Sequence, residues 1–151
     1  MKTKVETYTY PNGQKSRETP YVNGQRHGIS IGWNENGQKM HEIPYVNGQK
    51  YGLAIWWYEN GKKKREIPYV KGKKHGLATW WNENGQKWYE TPYVNGQVHG
   101  FVAGRFSDGS LSNVQKWHQD QLTWGIRFPP QGQIFENAEV ELFFHETPEL
   151  I

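Results

Sequence analysis

A hexapeptide that recurs every 24 residues constrains the fold of this 151-residue chain more than any other feature. The sequence Pro-Tyr-Val-Asn-Gly-Gln begins at Pro20, Pro44 and Pro92, and an edited copy, Pro-Tyr-Val-Lys-Gly-Lys, begins at Pro68. Alignment on its tyrosine gives units at residues 21–44, 45–68, 69–92 and 93–116, and the pattern degenerates after residue 105. Such a period indicates an array of supersecondary units that bury their apolar surface against one another.

Two turn signals in every unit predict paired β-strands. One series of turn glycines is Gly24, Gly48, Gly72 and Gly96, and the other is Gly13, Gly37, Gly61, Gly85 and Gly109. Asn-Gly between aromatic and β-branched runs is a strong hairpin signal, because a type I′ turn needs positive φ at both central residues. The spacing leaves strands of about six residues. The proline of each unit is expected to end its strand or mark a bulge, because it has no N–H for the ladder.

The sequence therefore predicts an all-β fold, an elongated antiparallel meander of stacked β-hairpins in a single sheet. Residues 1–133 form the predicted repeat array, with a last turn at 129–132, and residues 134–151 form an acidic C-terminal capping segment. Within that segment, residues 138–144 mostly alternate between polar and apolar. This alternation predicts a closing strand that covers a sheet edge, with a short helix as the alternative.

Composition and charge restrict the function classes. Hydrophobic residues make up only 34% of the chain while aromatic residues make up 15%, so the core is expected to consist of rings. All 18 Lys and Arg lie at or before Arg127 with 10 of the 15 acids, which gives this part a net charge of +8. The remaining five acids follow it, so the basic body suits an anionic partner, a contact with the tail, or solubility alone.

No segment has the length or apolarity of a signal peptide or of a membrane span, and the chain has no cysteine. A cytoplasmic protein without disulfides or thiolate ligands is the expectation.

Two columns of polar residues resemble chemical sites but are expected to be structural. Column mates are two strands apart, about 9.5 Å, so His27, His75 and His99 cannot share one metal ion. The column of Glu18, Glu42, Glu66 and Glu90 gives every carboxylate a similar environment, whereas acid–base catalysis needs unlike ones. Cross-strand pairing with lysines such as Lys39, Lys63 and Lys87 is expected instead. No nucleotide fingerprint is present, and neither an enzyme nor a bound cofactor is predicted.

Tryptophans concentrate in the middle units, and adjacent tryptophans in a strand must point to opposite faces of the sheet. In a single-layer sheet, one aromatic row is therefore expected to stay partly exposed, which suits a binding surface. The alternative is that the rings only pack on one another to stabilise a thin sheet. The candidate partner-binding residues are Trp56, Trp57, Tyr58, Lys64, Arg65, Trp80, Trp81, Trp88 and Tyr89.

The stretch HGLATWWNENGQKWYETPYVNGQVHG, residues 75–100, resembles the bacterial variant of the MORN repeat. The resemblance extends over about residues 5–104, and more weakly over 105–133. It implies an elongated, twisted single sheet, and an antitoxin role of the YwqK-like type. The chain departs from the pattern at Tyr51, which replaces a histidine, at Lys71, which replaces an asparagine, and from Arg105 onward, where the aromatic pair is missing.

These observations lead to three hypotheses of function. The first is a non-enzymatic scaffold that binds a protein partner through an aromatic and basic sheet face, with an antitoxin or immunity-type role implied by the resemblance alone. The second is binding to a carbohydrate or an anionic lipid headgroup. The third is binding to single-stranded nucleic acid, which also requires basic and aromatic residues. A homodimer, formed by edge pairing or by stacking of two aromatic strips, is a further expectation.

Overall fold

The computed structural model describes residues 1–130 and 143–144, which form one antiparallel sheet. The main strands are β1 (Thr3–Thr9), β2 (Lys15–Val22), β4 (Gly28–Trp33), β5 (Lys39–Val46), β7 (Gly52–Trp57), β8 (Lys63–Val70), β10 (Gly76–Trp81), β11 (Lys87–Val94), β13 (Gly100–Arg105), β14 (Leu111–His118), β15 (Gln121–Arg127) and β16 (Phe143–Phe144). Four two-residue strands flank the turns: β3 (Gln25–Arg26), β6 (Gln49–Lys50), β9 (Lys73–Lys74) and β12 (Gln97–Val98).

The main strands follow one another across the sheet in chain order. Each 24-residue unit thus contributes one eight-residue strand and one six-residue strand, and every neighbouring pair is antiparallel. The predicted all-β meander of stacked hairpins is confirmed. Within the described residues there is no helix, and so none that could cross a membrane.

The two series of turns have different conformations, which corrects the expectation of type I′ geometry throughout. At Asn47-Gly48 both residues have positive φ, 48° and 80°, as a type I′ turn requires. At the other series only the glycine does, as at Gly85 with φ of 91°. There the Asn84 carboxamide oxygen accepts the N–H of Gln86 at 3.0 Å, and a three-residue loop with a bulge results.

The repeated prolines lie inside the long strands and do not end them. Pro68 pairs with Leu53 of β7, and β8 continues for two residues to Val70. The carbonyl oxygen of Pro68 accepts the N–H of His75 at 3.0 Å. Because the N and C=O of a strand residue point to the same side, the missing N–H also faces that side, where the ladder between β8 and β10 has already ended at Glu66. Pro68 lies between that ladder and the short ladder of β8 with β9, which begins at Tyr69, so the proline accepts a bond from His75 and donates none.

Hydrogen bonds between successive turns hold the hairpins in register. At one edge, Gly48, Gly72 and Gly96 of the type I′ turns each donate an N–H to the preceding unit, as from Gly72 to the carbonyl of Lys50 at 2.9 Å. At the other edge, the Tyr58 hydroxyl donates to the carbonyl of Trp81 at 2.8 Å, and the Asn60 amide donates to the carbonyl of Glu83 at 2.9 Å. The same two bonds join Tyr10 to Trp33 and Asn12 to Glu35, so successive turns are bonded at both ends of the strands in these places.

Side-chain alternation gives the sheet two unlike faces. We call the side that carries Ala54, Ile67 and Ala78 the core face, and the side that carries Leu53, Pro68 and Leu77 the reverse face. The core face contains the central buried cluster of Ala54, Ile67, Tyr69 and Ala78, against which Ile43, Trp56, Trp80 and Tyr93 pack. Large aromatic side chains close over small ones, so a single layer obtains a core.

The hairpin geometry continues beyond the point at which the sequence pattern fades. Strands β13, β14 and β15 remain paired to Arg127, and Gln119-Asp120 forms a turn with positive φ at both residues although it contains no glycine. Phe143–Phe144 pairs with β15, in agreement with a closing strand. The remainder of the predicted capping segment, and the second half of the turn predicted at 129–132, lie outside the described residues.

Candidate functional site

The nine candidate residues divide between the two faces of the sheet. Trp56 lies opposite Arg65, Arg65 opposite Trp80, and Trp80 opposite Tyr89, so these four share the core face. Trp57 and Trp81 follow directly in sequence and belong to the reverse face. The expectation that adjacent tryptophans point to opposite faces is thereby met, and one row of aromatic and cationic groups forms across four neighbouring strands.

This row continues in both directions, and we call it the central row. Register pairing places in it Tyr8, Arg17, Gly32, His41, Trp56, Arg65, Trp80, Tyr89, Gly104 and Asn113. These columns of the repeat vary from unit to unit, whereas the neighbouring buried columns hold small or β-branched residues. Sequence analysis found the middle four members but missed the rest, because their alignment depends on the strand register.

The middle of the central row consists of stacked rings and a guanidinium group. The Arg65 guanidinium lies 4.2 Å from the ring centroid of Trp56. The rings of Trp80 and Tyr89 meet edge to face, with centroids 6.3 Å apart and planes at 70°. Nε of Arg65 is buried without a hydrogen-bond partner, and among the described residues no carboxylate forms an ion pair with this guanidinium. A partly buried guanidinium held on an aromatic ring without a carboxylate partner suits a carboxylate ligand.

Glycines bound the aromatic segment of the central row on both sides. A Cβ atom on Gly32 would lie 2.2 Å from the His41 ring, and one on Gly104 would lie 2.0 Å from the Asn113 carboxamide. The histidine and asparagine side chains thus occupy the space that a tryptophan fills in the middle units. Burial, and secondly the charge of Arg17, lower the pKa of His41 below its ordinary value of 6.5.

A second row of cations lies on tyrosine rings of the same face. Arg26 stacks on Tyr45 at 5.2 Å, Lys50 on Tyr69 at 4.9 Å, and Lys74 on Tyr93 at 4.6 Å. Each cation comes from the unit that precedes the tyrosine. Arg26 also donates to the Tyr45 hydroxyl at 3.2 Å. None of these cations forms an ion pair within the described residues, so the core face is basic.

Lysine, glutamate and tryptophan form a repeated cluster on the reverse face. Lys39 binds Glu42 at 2.5 Å and lies 5.7 Å from the Trp57 ring centroid. The same arrangement joins Lys15, Glu18 and Trp33 in the preceding unit, and Lys63, Glu66 and Trp81 in the next. The expected cross-strand pairing is wrong, because the partners lie three residues apart in one strand. Glu42 faces Ile31 and Ile55 across the ladder.

The three other candidate residues lie near the turns. Lys64 is the extra residue at the bulge of β8, and its ammonium group lies 5.2 Å from the Tyr58 ring centroid. Both contribute to an open cleft of about 420 Å³ lined by Met40, Trp57, Tyr58, Glu59, Asn60, Lys64 and Glu83. Trp88 is 53% exposed, with its ring 6.3 Å from that of Tyr89. The structure therefore provides no single site that contains all nine residues.

An exposed apolar strip on the reverse face was not predicted. Val5, Ile29, Leu53, Leu77 and Phe101 occupy one column, each opposite a proline or, for Phe101, opposite Lys116. Leu53 is 45% exposed, Leu77 51% and Phe101 60%. Val46, Val70 and Val94 are also exposed and extend the strip along the strands. We call these eight side chains the apolar stripe. The available sequence signal was the recurrence of an aliphatic residue directly after His-Gly or Tyr-Gly.

The histidine column contacts the following repeat. Nδ1 of His75 accepts the N–H of Asn95 at 3.3 Å, and the His99 ring lies 4.9 Å from that of His118. Among the described residues, no three His, Asp or Glu side chains are placed to hold one metal ion.

Comparison with family models identifies the repeating unit. Residues 26–47, 50–71 and 74–95 each match the MORN repeat variant. A comparison with curated proteins gave no match. The middle of the chain, which carries Trp56, Arg65, Trp80 and Tyr89, thus contains three consecutive segments that match the MORN repeat variant.

Proposed function

We propose that the chain is a non-enzymatic scaffold that binds an acidic segment of a protein partner on its core face. The observation that carries this proposal is the Arg65 guanidinium, which lies on Trp56 without a carboxylate partner among the described residues. Trp, Tyr and Arg are the residue types that dominate the free energy of protein interfaces. The central row presents all three on a rigid sheet, which limits the entropy lost on association.

The geometry of the rings favours a protein over the other ligand classes. Carbohydrates and unpaired bases stack on free ring faces. In the central row the face of Trp56 is covered by Arg65, and Trp80 and Tyr89 contact each other edge to face. A carboxylate can accept hydrogen bonds from the guanidinium N–H groups, and apolar side chains beside it can pack against the ring edges. The resemblance to the YwqK-like family implies an antitoxin or immunity-type role. In that role, the protein partner that we propose is a toxin.

A quantitative pull-down from an extract of the native cell tests the proposal. The bait proteins are the wild type, Arg65→Ala and Trp80→Ala, with Trp81→Ala as the matched control on the reverse face. We expect one protein to be captured by the wild type and by Trp81→Ala, and its affinity, measured with purified components, to fall at least about tenfold for Arg65→Ala. Thermal melting must show that each bait is folded.

Three outcomes would contradict the proposal. Equal capture by all four baits would remove the central row from recognition. Loss of capture in Trp81→Ala but not in Trp80→Ala would transfer the site to the reverse face. Binding of the purified wild type to glycans, anionic vesicles or oligonucleotides that is lost in Arg65→Ala, with no protein captured, would replace the protein partner by that ligand.

A further inference from the structure

The apolar stripe on the reverse face lies outside the proposed partner site. Its members are two strands apart, so Val5, Ile29, Leu53, Leu77 and Phe101 span about 38 Å at a repeat of about 9.6 Å. Together with the valines two residues further along the strands, the stripe covers about 500 Å². This equals the largest apolar patches of typical monomers, and Pro20, Pro44, Pro68 and Pro92 extend it between the aliphatic side chains.

Most charges beside the apolar stripe are paired, whereas Lys73, opposite Val70, and Lys116, on the Phe101 ring, form no ion pair among the described residues. Glu18, Glu42, Glu66 and Glu90 each bind a lysine of their own strand. Glu90 is also bound by Arg105 at 3.5 Å. The core face differs, since five cations there lie on aromatic rings without ion pairs among the described residues. Two reverse faces therefore repel each other less than two core faces do.

The period of the apolar stripe restricts what can cover it. A rigid row of side chains with a spacing of about 9.6 Å is matched along its full length only by a surface with the same spacing. A second copy of this chain has that spacing. The stripe with its flanking lysine and glutamate rows measures about 38 by 20 Å, close to the roughly 800 Å² per partner of a standard stable interface.

We propose that the apolar stripe is the interface of a homodimer, in which two copies pack reverse face against reverse face. The two sheets form a sandwich about 10 Å apart, with the aliphatic side chains of one copy between those of the other. The arrangement has two-fold symmetry, and the same patch is used by both copies. Both core faces remain outside, so the dimer presents two central rows to partners.

Sedimentation equilibrium of the purified chain over a wide concentration range tests this interface. We expect a dimer for the wild type, and a dissociation constant at least 100-fold higher for the double variant Leu53→Asp with Leu77→Asp. Because both leucines are half exposed, the variant is expected to fold. Circular dichroism checks the fold, and Leu53→Ser with Leu77→Ser provides a milder second variant. Met40→Asp is the matched control, since Met40 is 45% exposed but lies at the bulge of β5, four residues from Pro44 and outside the stripe.

Several results would overturn the homodimer. A wild type that is monomeric at every concentration excludes it, and if this monomer binds lipid vesicles or a protein through Leu53 and Leu77, the stripe has that occupant instead. A dimer that is unchanged in the double variant, or that Met40→Asp disrupts equally, uses another surface such as a sheet edge. Because these variants leave the central row intact, failure here does not affect the proposed partner site.

Discussion

The core face and the reverse face are built from alternate residues of the same strands, yet they differ in what the repeat keeps constant. On the reverse face, the exposed columns repeat from unit to unit, as with Ile29, Leu53 and Leu77. On the core face, the buried columns repeat, while the partly exposed central row changes from Gly32 to Trp56 to Gly104. A repeated exposed column suits a partner with the same period. A varied row suits a partner that has no repeat.

The largest expected effect is a difference between the two faces in how much a truncated side chain lowers the free energy of unfolding. Ile67→Ala removes a side chain that is 4% exposed and belongs to the central buried cluster, so we expect a loss of about 2–4 kcal/mol in the free energy of unfolding. Leu53→Ala, on the neighbouring strand and the reverse face, should cost less than about 1 kcal/mol in the monomer. Denaturant unfolding at low protein concentration measures both. Equal losses would contradict the assignment of the core to one face.

The next effect concerns the boundary of the central row. Gly32→Ala places a Cβ atom 2.2 Å from the His41 ring, and we expect a destabilisation of about 1–3 kcal/mol from overpacking. In the background His41→Ala, the same alanine should cost little, because the ring is absent. A double-mutant cycle by denaturant unfolding measures this coupling. Additive effects of the two substitutions would mean that the histidine does not occupy the space above the glycine.

The period, the meander and the division of Trp56 from Trp57 could be predicted, because turn residues and alternation determine them locally. Three local details could not. The turn at Asn84 depends on a side-chain hydrogen bond. Strand β8 tolerates Pro68 because the ladder between β8 and β10 ends at Glu66. The bulge in β5 places Lys39 near Glu42 of the same strand. None of these is expressed by the spacing of residue types.

The sequence indicated which types of residue form the candidate surface, but it did not indicate which individual residues lie next to one another. Trp56, Arg65, Trp80 and Tyr89 meet because the register of four strands aligns them. Register also adds His41 and separates Trp81 from the row. The apolar stripe was missed, because the sequence does not reveal whether Leu53 or Ala54 is the buried neighbour. That choice depends on which face the large aromatic side chains cover.

The smallest expected effects concern the pH dependence of stability, compared at one residue of each face. The pKa of His41 on the core face is lowered from 6.5, mainly by burial, so the unfolded chain binds the proton more tightly and stability falls as the pH falls through 6.5. The pKa of Glu90 on the reverse face is lowered from 4.5, mainly by its hydrogen bond to Lys87. Its contribution is complete above 4.5 and is lost as the pH falls further.

Thermal melting of dilute protein over a pH series measures these two steps. His41→Asn should reduce the upper step and leave the lower one, while Glu90→Gln should reduce the lower step only. A variant that weakens both steps, or an upper step unchanged by His41→Asn, would contradict the assignment of the two steps to His41 and Glu90.

The most direct test of the two-faced sheet is the rate at which a thiol reagent labels cysteines at adjacent positions. The chain has no cysteine of its own, so Leu53→Cys and Ala54→Cys each introduce one, at sites that are 45% and 0% exposed. In dilute native protein we predict rapid labelling of Leu53→Cys and labelling of Ala54→Cys only as fast as the sheet opens. Equal rates at the two positions would contradict the account.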